Sequence, residues 1–503
     1  MNFPALLSFI CGFTSLSLEI LWVRLYGFAK LSTPAAFGFV LMSYLVGIAF
    51  GAHFGSKACR RGKFENLWNY SIGALLLSAA CTVLLPKIFA NLTYKGHYNP
   101  AIDLAIIAIS SFIIAFVFPI AHHLGSDKTP ENQGRKLATV YTANVIGGAL
   151  GPLATGYLLL DYFTLQQSFY IIASLQLTFA AIFSILIQRK TYSRIFAPAC
   201  SVLIAYIFVV SSQNPHSLIQ QLASNGTPAK SIIENRHGVI TIFPGSDGDD
   251  SVYGGNVYDG RTNLNPDKNT NGLHRPLLLT VLQPEPKRVL MIGLSIGTWL
   301  ALINEFTGVE HVDVIEINPG YISAAEDYPH QKTAINDPRV RIIINDARRW
   351  LRLHPDAKYD MVIMNTTWNW RSNASLLLSE EFLKLVKSHM KSDAILAFNS
   401  TGSGDAFYTA SSVFDHAYRY DNFIFAGNQD FREKKNSNQA LEKYKRIQLQ
   451  STPLFSKDST APKKFLERPF VTIQQASVSS GRTFEIVTDQ NMITEFKYGR
   501  ALY

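Results

Sequence analysis

The chain has 503 residues, a formal net charge of +9 and only four cysteines. This length exceeds that of one ordinary domain, and apolar residues are concentrated in the first 211 positions, so we expect two units. The cysteines have neither metal-ligand nor disulfide-framework spacing, and much of the positive charge lies in short loops between apolar segments. The composition therefore predicts no metal, no disulfide scaffold and no nucleic-acid partner.

Seven apolar segments occupy the first part of the chain. Each has roughly 17 to 24 residues, which is long enough for a helix to cross a bilayer. They lie at residues 3–21, 37–54, 67–85, 104–121, 137–160, 169–187 and 195–211. The last segment is the shortest. The pattern predicts an α-helical transmembrane bundle of six or seven helices at 1–211, with the lipid bilayer as its partner.

Basic residues between these segments predict the orientation of the bundle. The second, fourth and sixth loops hold most of them: Lys57, Arg60, Arg61, Lys63, Lys128, Arg135, Lys136, Arg189, Lys190 and Arg194. Loops rich in Lys and Arg stay in the cytoplasm, so seven crossings would place the C-terminal half outside. Six crossings would return it to the cytoplasm, with 195–211 lying in the interface. We expect the cytoplasm, where nucleotide cofactors are supplied.

The pattern changes after a polar linker at 212–230. Alternating apolar residues at 239–243 and 252–258 flank a turn rich in Gly and Asp, which predicts a β-hairpin subdomain at 231–287. Apolar strands then alternate with helices from 288 to 425, the rhythm of a parallel, doubly wound sheet. We therefore expect an α/β Rossmann-like domain of the class I methyltransferase type, followed by an extension of unknown role at 426–503.

Three predicted strand ends carry residues suited to a nucleoside. The first strand ends in a glycine-containing loop with Gly293, Ser295 and Gly297, where the backbone can approach a ligand closely. Glu316 closes the second strand, at a spacing where a carboxylate accepts from ribose hydroxyls. Asp346 follows the third strand, where it could accept from an adenine amino group. Together they predict a site for S-adenosylmethionine or a close derivative.

The same loop also fits the G-x-S-x-G turn that presents a serine nucleophile in α/β hydrolases. Ser295 follows the first strand of the sheet, whereas a hydrolase places its serine after several strands. His274 precedes Ser295, although the hydrolase histidine follows its serine in the chain. The hydrolase is the least favoured alternative.

These residues resemble the spermidine synthase-like polyamine aminopropyltransferases, in the bacterial form fused to an N-terminal multispan membrane region. The resemblance covers about residues 231–400 and includes the segments 257–260, 314–318, 345–347 and 359–360. It implies an inner-membrane transferase, a homodimer, and S-adenosylmethionine or its decarboxylated form as co-substrate without a metal. The positions that it assigns to cofactor binding are Asn263, His274, Gly293, Ser295, Gly297, Glu316, Asp346 and Ala347.

The chain departs from this family on the acceptor side. Ile296 replaces an Asp that grips the amine, and Leu273 replaces a Tyr. Asn365 stands at the position of the Asp that deprotonates the attacking amine. An amide cannot serve as a general base near neutral pH, so a catalytic role for Asn365 requires a different chemistry.

The loop that follows Asn365 provides a candidate acceptor pocket. Trp368 and Trp370 present aromatic faces that can hold an ammonium or sulfonium cation. Arg371 would instead favour an acceptor that bears a carboxylate. Both tryptophans could also simply cap the sheet.

The leading hypothesis is group transfer from S-adenosylmethionine or its decarboxylated form, most simply an aminopropyl group to an amine. Methyl transfer needs the same fold and cofactor and is a close alternative. A non-catalytic sensor of nucleosides or polyamines, or a transporter, is a third possibility.

Overall fold

The computed structural model describes residues 2–61, 64–94, 96, 99–126, 130–188, 192–223, 227–365 and 367–502. The basic loop residues Lys63, Lys128, Arg189 and Lys190 lie outside this part of the chain. Contacts divide the chain into two compact units, Met1–Val239 with Leu502–Tyr503 and Ile240–Ala501.

The first unit is almost entirely helical. Its elements are α1 Phe3–Ala29, α2 Pro34–Arg61, α3 Phe64–Tyr94, α4 Pro100–Gly125, α5 Pro130–Ala154, a π-helical turn Thr155–Leu159, α6 Leu160–Tyr162, α7 Leu165–Phe183, a second π-helical turn Ser184–Gln188, α8 Tyr192–Gln213, α9 Ser217–Ala223 and β1 Ser231–Asn235. Within the described residues, six helices are long and apolar enough to cross a membrane, and they coincide with the first six predicted segments. The multispan helical region is confirmed.

Glycines bring the long helices of this unit into close contact. A Cβ atom added at Gly47, Gly51 or Gly55 of α2 would lie 2.1 to 2.3 Å from the nearest α4 atoms. Gly147 and Gly151 of α5 approach the α1 backbone in the same way, at 2.1 and 2.3 Å. Small residues repeated every four positions allow such backbone contact between helices, so these glycines serve packing.

The predicted seventh segment forms α8, which runs antiparallel to α7. Its Cys200 and Ile207 pack with Tyr170 and Leu177 of α7. Just beyond its end, the carbonyl oxygen of Pro215 accepts a hydrogen bond from Thr164 Oγ1, at the start of α7, at 2.8 Å. The chain therefore returns along the length of α7 to the end of the bundle where α7 begins.

The predicted linker at 212–230 contains a short helix. Leu218 and Ile219 of α9 are buried in the helical unit among α1, α3 and α7 residues. Two adjacent apolar residues in a polar stretch have a place in the core, which explains why this part of the linker is ordered.

The second unit contains the remaining elements. These are β2 Gly238–Phe243, β3 Ser251–Gly254, β4 Val257–Arg261, α10 His274–Leu282, β5 Arg288–Ile292, α11 Thr298–Ile303, β6 His311–Glu316, α12 Gly320–Ala325, α13 Pro329–Ile335, β7 Val340–Ile344, α14 Ala347–Leu353, β8 Tyr359–Met364, α15 Ser375–Leu378, α16 Glu380–Ser388, β9 Met390–Asn399, α17 Gly404–Val413, β10 His416–Tyr420, β11 Phe423–Gly427, α18 Arg432–Lys435, α19 Asn438–Lys445, β12 Gln448–Leu449, β13 Thr452–Pro453, α20 Ala461–Glu467, α21 Ile473–Ser480 and α22 Ile493–Phe496.

Seven strands of this unit form one sheet in the order β10-β11-β9-β8-β5-β6-β7. The strands β7, β6, β5, β8 and β9 are parallel, and β11 and β10 add an antiparallel edge. Val289, Leu290 and Met291 of the central strand β5 are fully buried, as expected for a strand covered on both faces. The predicted α/β class is confirmed.

This strand order determines where a ligand can bind. The chain runs from β5 outward to β7 on one side and then crosses back to β8 on the other. In doubly wound sheets the crevice lies at the carboxyl ends of the strands where the order reverses. Here these are the ends of β5, β6 and β8, which the glycine loop, Glu316 and Asn365 follow.

The predicted hairpin has one more turn than expected. The run at 252–258 is divided between β3 and β4 by Gly255 and Asn256, which both have positive φ angles. Two consecutive residues with φ above zero are typical of a tight hairpin turn. The strands β2, β3 and β4 therefore form an antiparallel meander instead of a single hairpin.

The C-terminal extension packs against the sheet of the second unit. Val471 pairs with Arg419 of β10, and the ring of Phe470 contacts Phe425 of β11. Phe484 belongs to the same hydrophobic core as the sheet. The extension as far as residue 501 is therefore an integral part of this unit.

Candidate functional site

The glycine loop after β5 has a backbone conformation that requires glycine at two positions. Gly293 and Gly297 have φ angles of +85° and +83°. A Cβ atom at Gly293 would lie 2.7 Å from the carbonyl oxygen of Asn365. Ser295, between them, also has a positive φ of +49°. The loop therefore brings its backbone against the ends of the neighbouring strands, as a nucleotide-binding turn does.

Glu316 lies at the centre of this region. Its side chain is 5% exposed, and its two carboxylate oxygens accept hydrogen bonds from the backbone N–H groups of Leu294 and Asn318, at 2.7 and 2.8 Å. Burial raises the pKa of Glu316 to about 7, although these N–H groups oppose the rise. The two oxygens of a carboxylate have about four acceptor positions between them, so Glu316 has acceptor capacity beyond the bonds from Leu294 and Asn318.

A second carboxylate that the sequence reasoning did not assign is coupled to Glu316. The side chain of Asp259 of β4 accepts a hydrogen bond from Tyr321 and lies beside the Ser295 hydroxyl. Burial raises the pKa of Asp259, and these two neighbours, with the charge of Arg371, oppose the rise. The negative charge of Asp259 contributes to the raised pKa of Glu316. The segment 257–260 carried the family resemblance, and a carboxylate within it was the available signal.

Asp346 and Ala347 follow the third strand, as predicted. Asp346 is exposed and caps α14, because its Oδ1 accepts from the N–H of Arg349 at 2.8 Å. The N–H of Asn345 donates to the Glu316 carbonyl oxygen at 3.1 Å, which places this strand end beside that of β6. Ala347 is buried at the first position of α14. Glu316 and Asp346 thus follow adjacent strand ends.

His274 and Asn263 both have side-chain partners within the protein, and those of His274 include Asp421 from the turn between β10 and β11. His274 is 3% exposed, its Nδ1 lies 2.8 Å from Asn269 Nδ2, and its Nε2 lies 3.1 Å from Asp421 Oδ2. Burial lowers the pKa of His274. Asn263 accepts from the N–H of Asn265 and donates to Thr270 Oγ1, both at 2.8 Å. These contacts stabilise the loop between β4 and α10.

Ser295 is held by β4. Its hydroxyl donates to the carbonyl oxygen of Asp259 at 3.3 Å. His274 is engaged with Asn269 and Asp421, so the hydrogen bonds of the described residues do not join this histidine to Ser295. Likewise, no group of three potential metal ligands occurs in the part of the chain that the structure describes.

The candidate acceptor loop follows β8 and begins beside the end of the central strand β5. The N–H of Asn365 donates to the Ile292 carbonyl oxygen at 3.0 Å, and Trp368 Nε1 donates to the Tyr258 carbonyl oxygen at 3.4 Å. The rings of Trp368 and Trp370 lie 6.1 Å apart between centroids, and Trp368 is 39% exposed. The loop therefore extends from the end of β5 to β4, beside the residues that surround Glu316.

Arg371 brings a positive charge to this loop. Its Nη1 donates to Thr367 Oγ1 at 2.7 Å, and its Nε is buried without a partner among the described residues. Burial lowers the pKa of Arg371, while the acidic groups of Tyr321 and Asp259 oppose the change. The predicted acceptor residue is thus electrostatically coupled to the residues around Glu316.

The C-terminal extension supports the end of the acceptor loop. Glu495, which is 5% exposed, accepts hydrogen bonds from the backbone N–H groups of Asn373 and Ser375, at 2.9 and 2.8 Å. The guanidinium of Arg500 lies 5.1 Å from the ring centre of Trp370. These contacts give the extension a role that its sequence did not reveal.

Two family descriptions match the chain, one for each region. "Spermine/spermidine synthase domain" matches residues 273–418, and "Major Facilitator Superfamily" matches residues 5–231. The first match covers the sheet with the glycine loop, Glu316 and Asn365. The second covers the multispan helical unit.

Curated relatives show the same likeness. Polyamine aminopropyltransferase 2 of Streptomyces coelicolor is 23% identical over 412 residues, which is 78% of this chain and 72% of that protein. Spermine synthase of Arabidopsis thaliana is 27% identical over 148 residues, or 29% of this chain and 38% of that protein. The polyamine aminopropyltransferase of Thermotoga maritima is 29% identical over 153 residues, or 30% and 49%. The chain thus spans about half or less of the last two.

Among solved structures, a spermidine synthase in complex with the transition-state analogue AdoDATO is 20% identical, with a TM-score of 0.40. The match covers 48% of this chain and 87% of that one. The chain is therefore similar to spermine and spermidine synthases over residues 273–418 and to the Major Facilitator Superfamily over residues 5–231, with the synthase-like domain after the multispan helical region.

Proposed function

We propose that the protein is a membrane-anchored transferase that uses decarboxylated S-adenosylmethionine or S-adenosylmethionine and transfers an aminopropyl group to an amine. The observation that carries the proposal is the buried Glu316 between the glycine loop and Asn318, inside the domain that matches spermine and spermidine synthases. The relatives named polyamine aminopropyltransferase support the reaction class.

The residues present fit such a donor. Glu316 can accept from both ribose hydroxyls, Gly293 allows the backbone to approach, and Asp346 keeps an oxygen free for an adenine amino group. The sulfonium supplies the leaving group: the amine nitrogen bonds to the adjacent carbon, the C–S bond breaks toward sulfur, and the nitrogen loses a proton. The protein mainly has to align the acceptor and exclude water.

Asn365 cannot take that proton, because an amide has no basic carboxylate. We propose that the acceptor arrives neutral or releases its proton to water, and that Asn365 helps to position it. Trp368 and Trp370 offer faces for the cationic parts of the substrates.

Methyl transfer from S-adenosylmethionine is the second candidate, and Asn365 and Arg371 favour it. Neither residue provides the negative charge that an acceptor with two ammonium groups needs. A non-catalytic sensor or transporter is a third candidate, favoured by the match of residues 5–231 to the Major Facilitator Superfamily. A serine hydrolase built on Ser295 is the least favoured, because the Ser295 hydroxyl is directed to β4.

Calorimetry and product analysis of the purified full-length protein test the proposal. We expect methylthioadenosine to bind, and Glu316→Ala to abolish binding while Glu310→Ala, an exposed change in the same unit, does not. Incubation of the decarboxylated donor with amines should release methylthioadenosine and an aminopropylated amine. A methylated product would support the second candidate, and binding without turnover would support a sensor or transporter. No nucleoside binding would refute the site.

We propose that the protein lies in a bacterial inner membrane. The expectation of a cytoplasmic C-terminal half required six crossings. One observation supports a seventh: the chain after α8 meets the start of α7, although the apolar part of α8, Pro198–Val210, is shorter than the six long apolar helices. With the basic loops in the cytoplasm, seven crossings put the segment after α8 outside.

Reporter fusions placed after Ala223 test on which side of the membrane the C-terminal half lies. Periplasmic phosphatase activity would support seven crossings and would require that the donor be delivered outside. Cytoplasmic fluorescence would restore the original expectation. The homodimer that the resemblance implies remains a proposal, which light scattering of the detergent-solubilised protein tests.

A further inference from the structure

We propose that Arg371 binds a carboxylate group of a substrate, carried either by the methionine part of the donor or by the acceptor. This inference rests on the proposed function and specifies the substrate class of the same site. Within the proposed function, it predicts that a substrate pair in which one partner carries a carboxylate is used better than a simple polyamine with a decarboxylated donor.

The hydrogen bonds of Arg371 leave capacity for a ligand. A guanidinium has five N–H donors in a fixed fork. Thr367 accepts from Nη1 at 2.7 Å, and the buried Nε has no partner among the described residues. A buried donor without a partner is costly, because the water that it lost is not replaced. A carboxylate oxygen would satisfy it.

The charges around Arg371 point to the same chemistry. The groups that act on it electrostatically are Asp259 of β4 and Tyr321 of α12. Asp259 is itself buried beside Tyr321 and Glu316, and its one negative charge acts on Glu316 as well as on Arg371. A ligand carboxylate could therefore give Arg371 the bidentate partner that its planar fork prefers.

Arg371 belongs to the loop that follows β8, at the edge of the sheet where the glycine loop and Glu316 also lie. Its loop starts with the hydrogen bond of Asn365 to the end of β5 and contacts β4 through Trp368. Ile296 and Asn365, which stand where the resembling family has acidic residues, are uncharged, so these two residues cannot attract an ammonium group. The positive charge of Arg371 would repel one at close range.

The two sources of the carboxylate are distinguished by matched ligands. S-adenosylmethionine and its decarboxylated form differ only by the donor carboxylate, and ornithine and putrescine differ only by the acceptor carboxylate. Affinities for both donors and turnover with both amines are measured on the wild-type protein, Arg371→Met, Arg371→Lys and the exposed control Arg446→Met.

If the donor supplies the carboxylate, Arg371→Met should weaken S-adenosylmethionine binding by about tenfold to a hundredfold, the effect of losing a hydrogen-bonded charge. Binding of the decarboxylated form should change less than about twofold. If the acceptor supplies the carboxylate, the affinities of Arg371→Met for both donors should equal those of the wild-type protein. The preference for ornithine over putrescine should then fall by about tenfold to a hundredfold. Arg371→Lys should recover part of either effect.

Two ratios decide the proposal: the affinity for S-adenosylmethionine relative to its decarboxylated form, and the turnover of ornithine relative to putrescine. The proposal is overturned if Arg371→Met changes neither of them. Methylthioadenosine has neither carboxylate, so its binding reports that the variant is folded and that the nucleoside site is intact. Failure of wild-type protein to bind methylthioadenosine would refute the proposed function instead, which keeps the two failures apart.

Discussion

The contact of Glu495 with the acceptor loop gives a prediction that can be worked out from the structure. Glu495 accepts from the N–H groups of Asn373 and Ser375, two residues that end the loop and begin α15. Glu495→Ala removes both acceptors and leaves two backbone donors in a buried place. Glu495→Gln keeps one acceptor oxygen but turns an NH₂ group toward the other donor.

The expected cost follows from these two bonds. A hydrogen bond to a charged group contributes about 1.5–3 kcal/mol, so Glu495→Ala should cost about 3 kcal/mol or more. Glu495→Gln should cost about 2 kcal/mol, because one bond is lost and two donors oppose each other. If the lost hydrogen bonds destabilise only the ordered conformation of the loop, about 3 kcal/mol lowers the ratio of ordered to disordered loop by roughly a hundredfold.

The assay separates the loop from the nucleoside site. In Glu495→Ala, kcat/KM for the acceptor should fall by up to about a hundredfold, while methylthioadenosine affinity stays within about twofold because Glu316 and the glycine loop are untouched. Glu467→Ala, an exposed change in the same extension, is the control and should change neither. Unchanged acceptor kinetics in Glu495→Ala would refute the supporting role. An equal loss of methylthioadenosine binding would show that the damage is not confined to the loop.

Two further predictions concern the nucleoside site. The pKa of Glu316 is raised to about 7, and ribose hydroxyls bind the ionised form, so methylthioadenosine affinity should rise between pH 6 and pH 8. Because this pKa lies above its ordinary value, Glu316 contributes stability at low pH that is lost as pH rises through about 7. Glu316→Gln should therefore flatten the pH dependence of methylthioadenosine affinity and of protein stability. A pH dependence that persists in this variant would point to another group. Gly293→Ala should both strain a φ of +85° and push against Asn365, whereas Gly402→Ala has the same φ and open space around it. Calorimetry should show a larger loss of stability and of nucleoside binding for Gly293→Ala, and equal effects would remove the contact with Asn365 from the explanation.

The sequence alone determined the features that depend on local pattern. Hydropathy identified the six long apolar helices, because a helix that crosses a bilayer needs a continuous apolar stretch. The apolar run at β5 and the alternation of strands and helices after it identified the α/β sheet. The position of Gly293, Glu316 and Asp346 at one edge of that sheet could be predicted, because parallel strands bring their carboxyl ends to the same edge. The turn at Gly255 and Asn256 was not predicted, because the apolar residues on both sides of it fit one continuous strand at 252–258.

The tertiary structure alone decided the features that depend on distant residues. Asp259, Tyr321 and Arg371 come from three separate segments, and only folding brings their charges close enough to act on one another. Glu495 reaches Asn373 across more than a hundred positions, and no periodic pattern marks such a contact. The direction of α8 was likewise decided by packing against α7, since hydropathy measures how apolar a helix is and not where its ends lie.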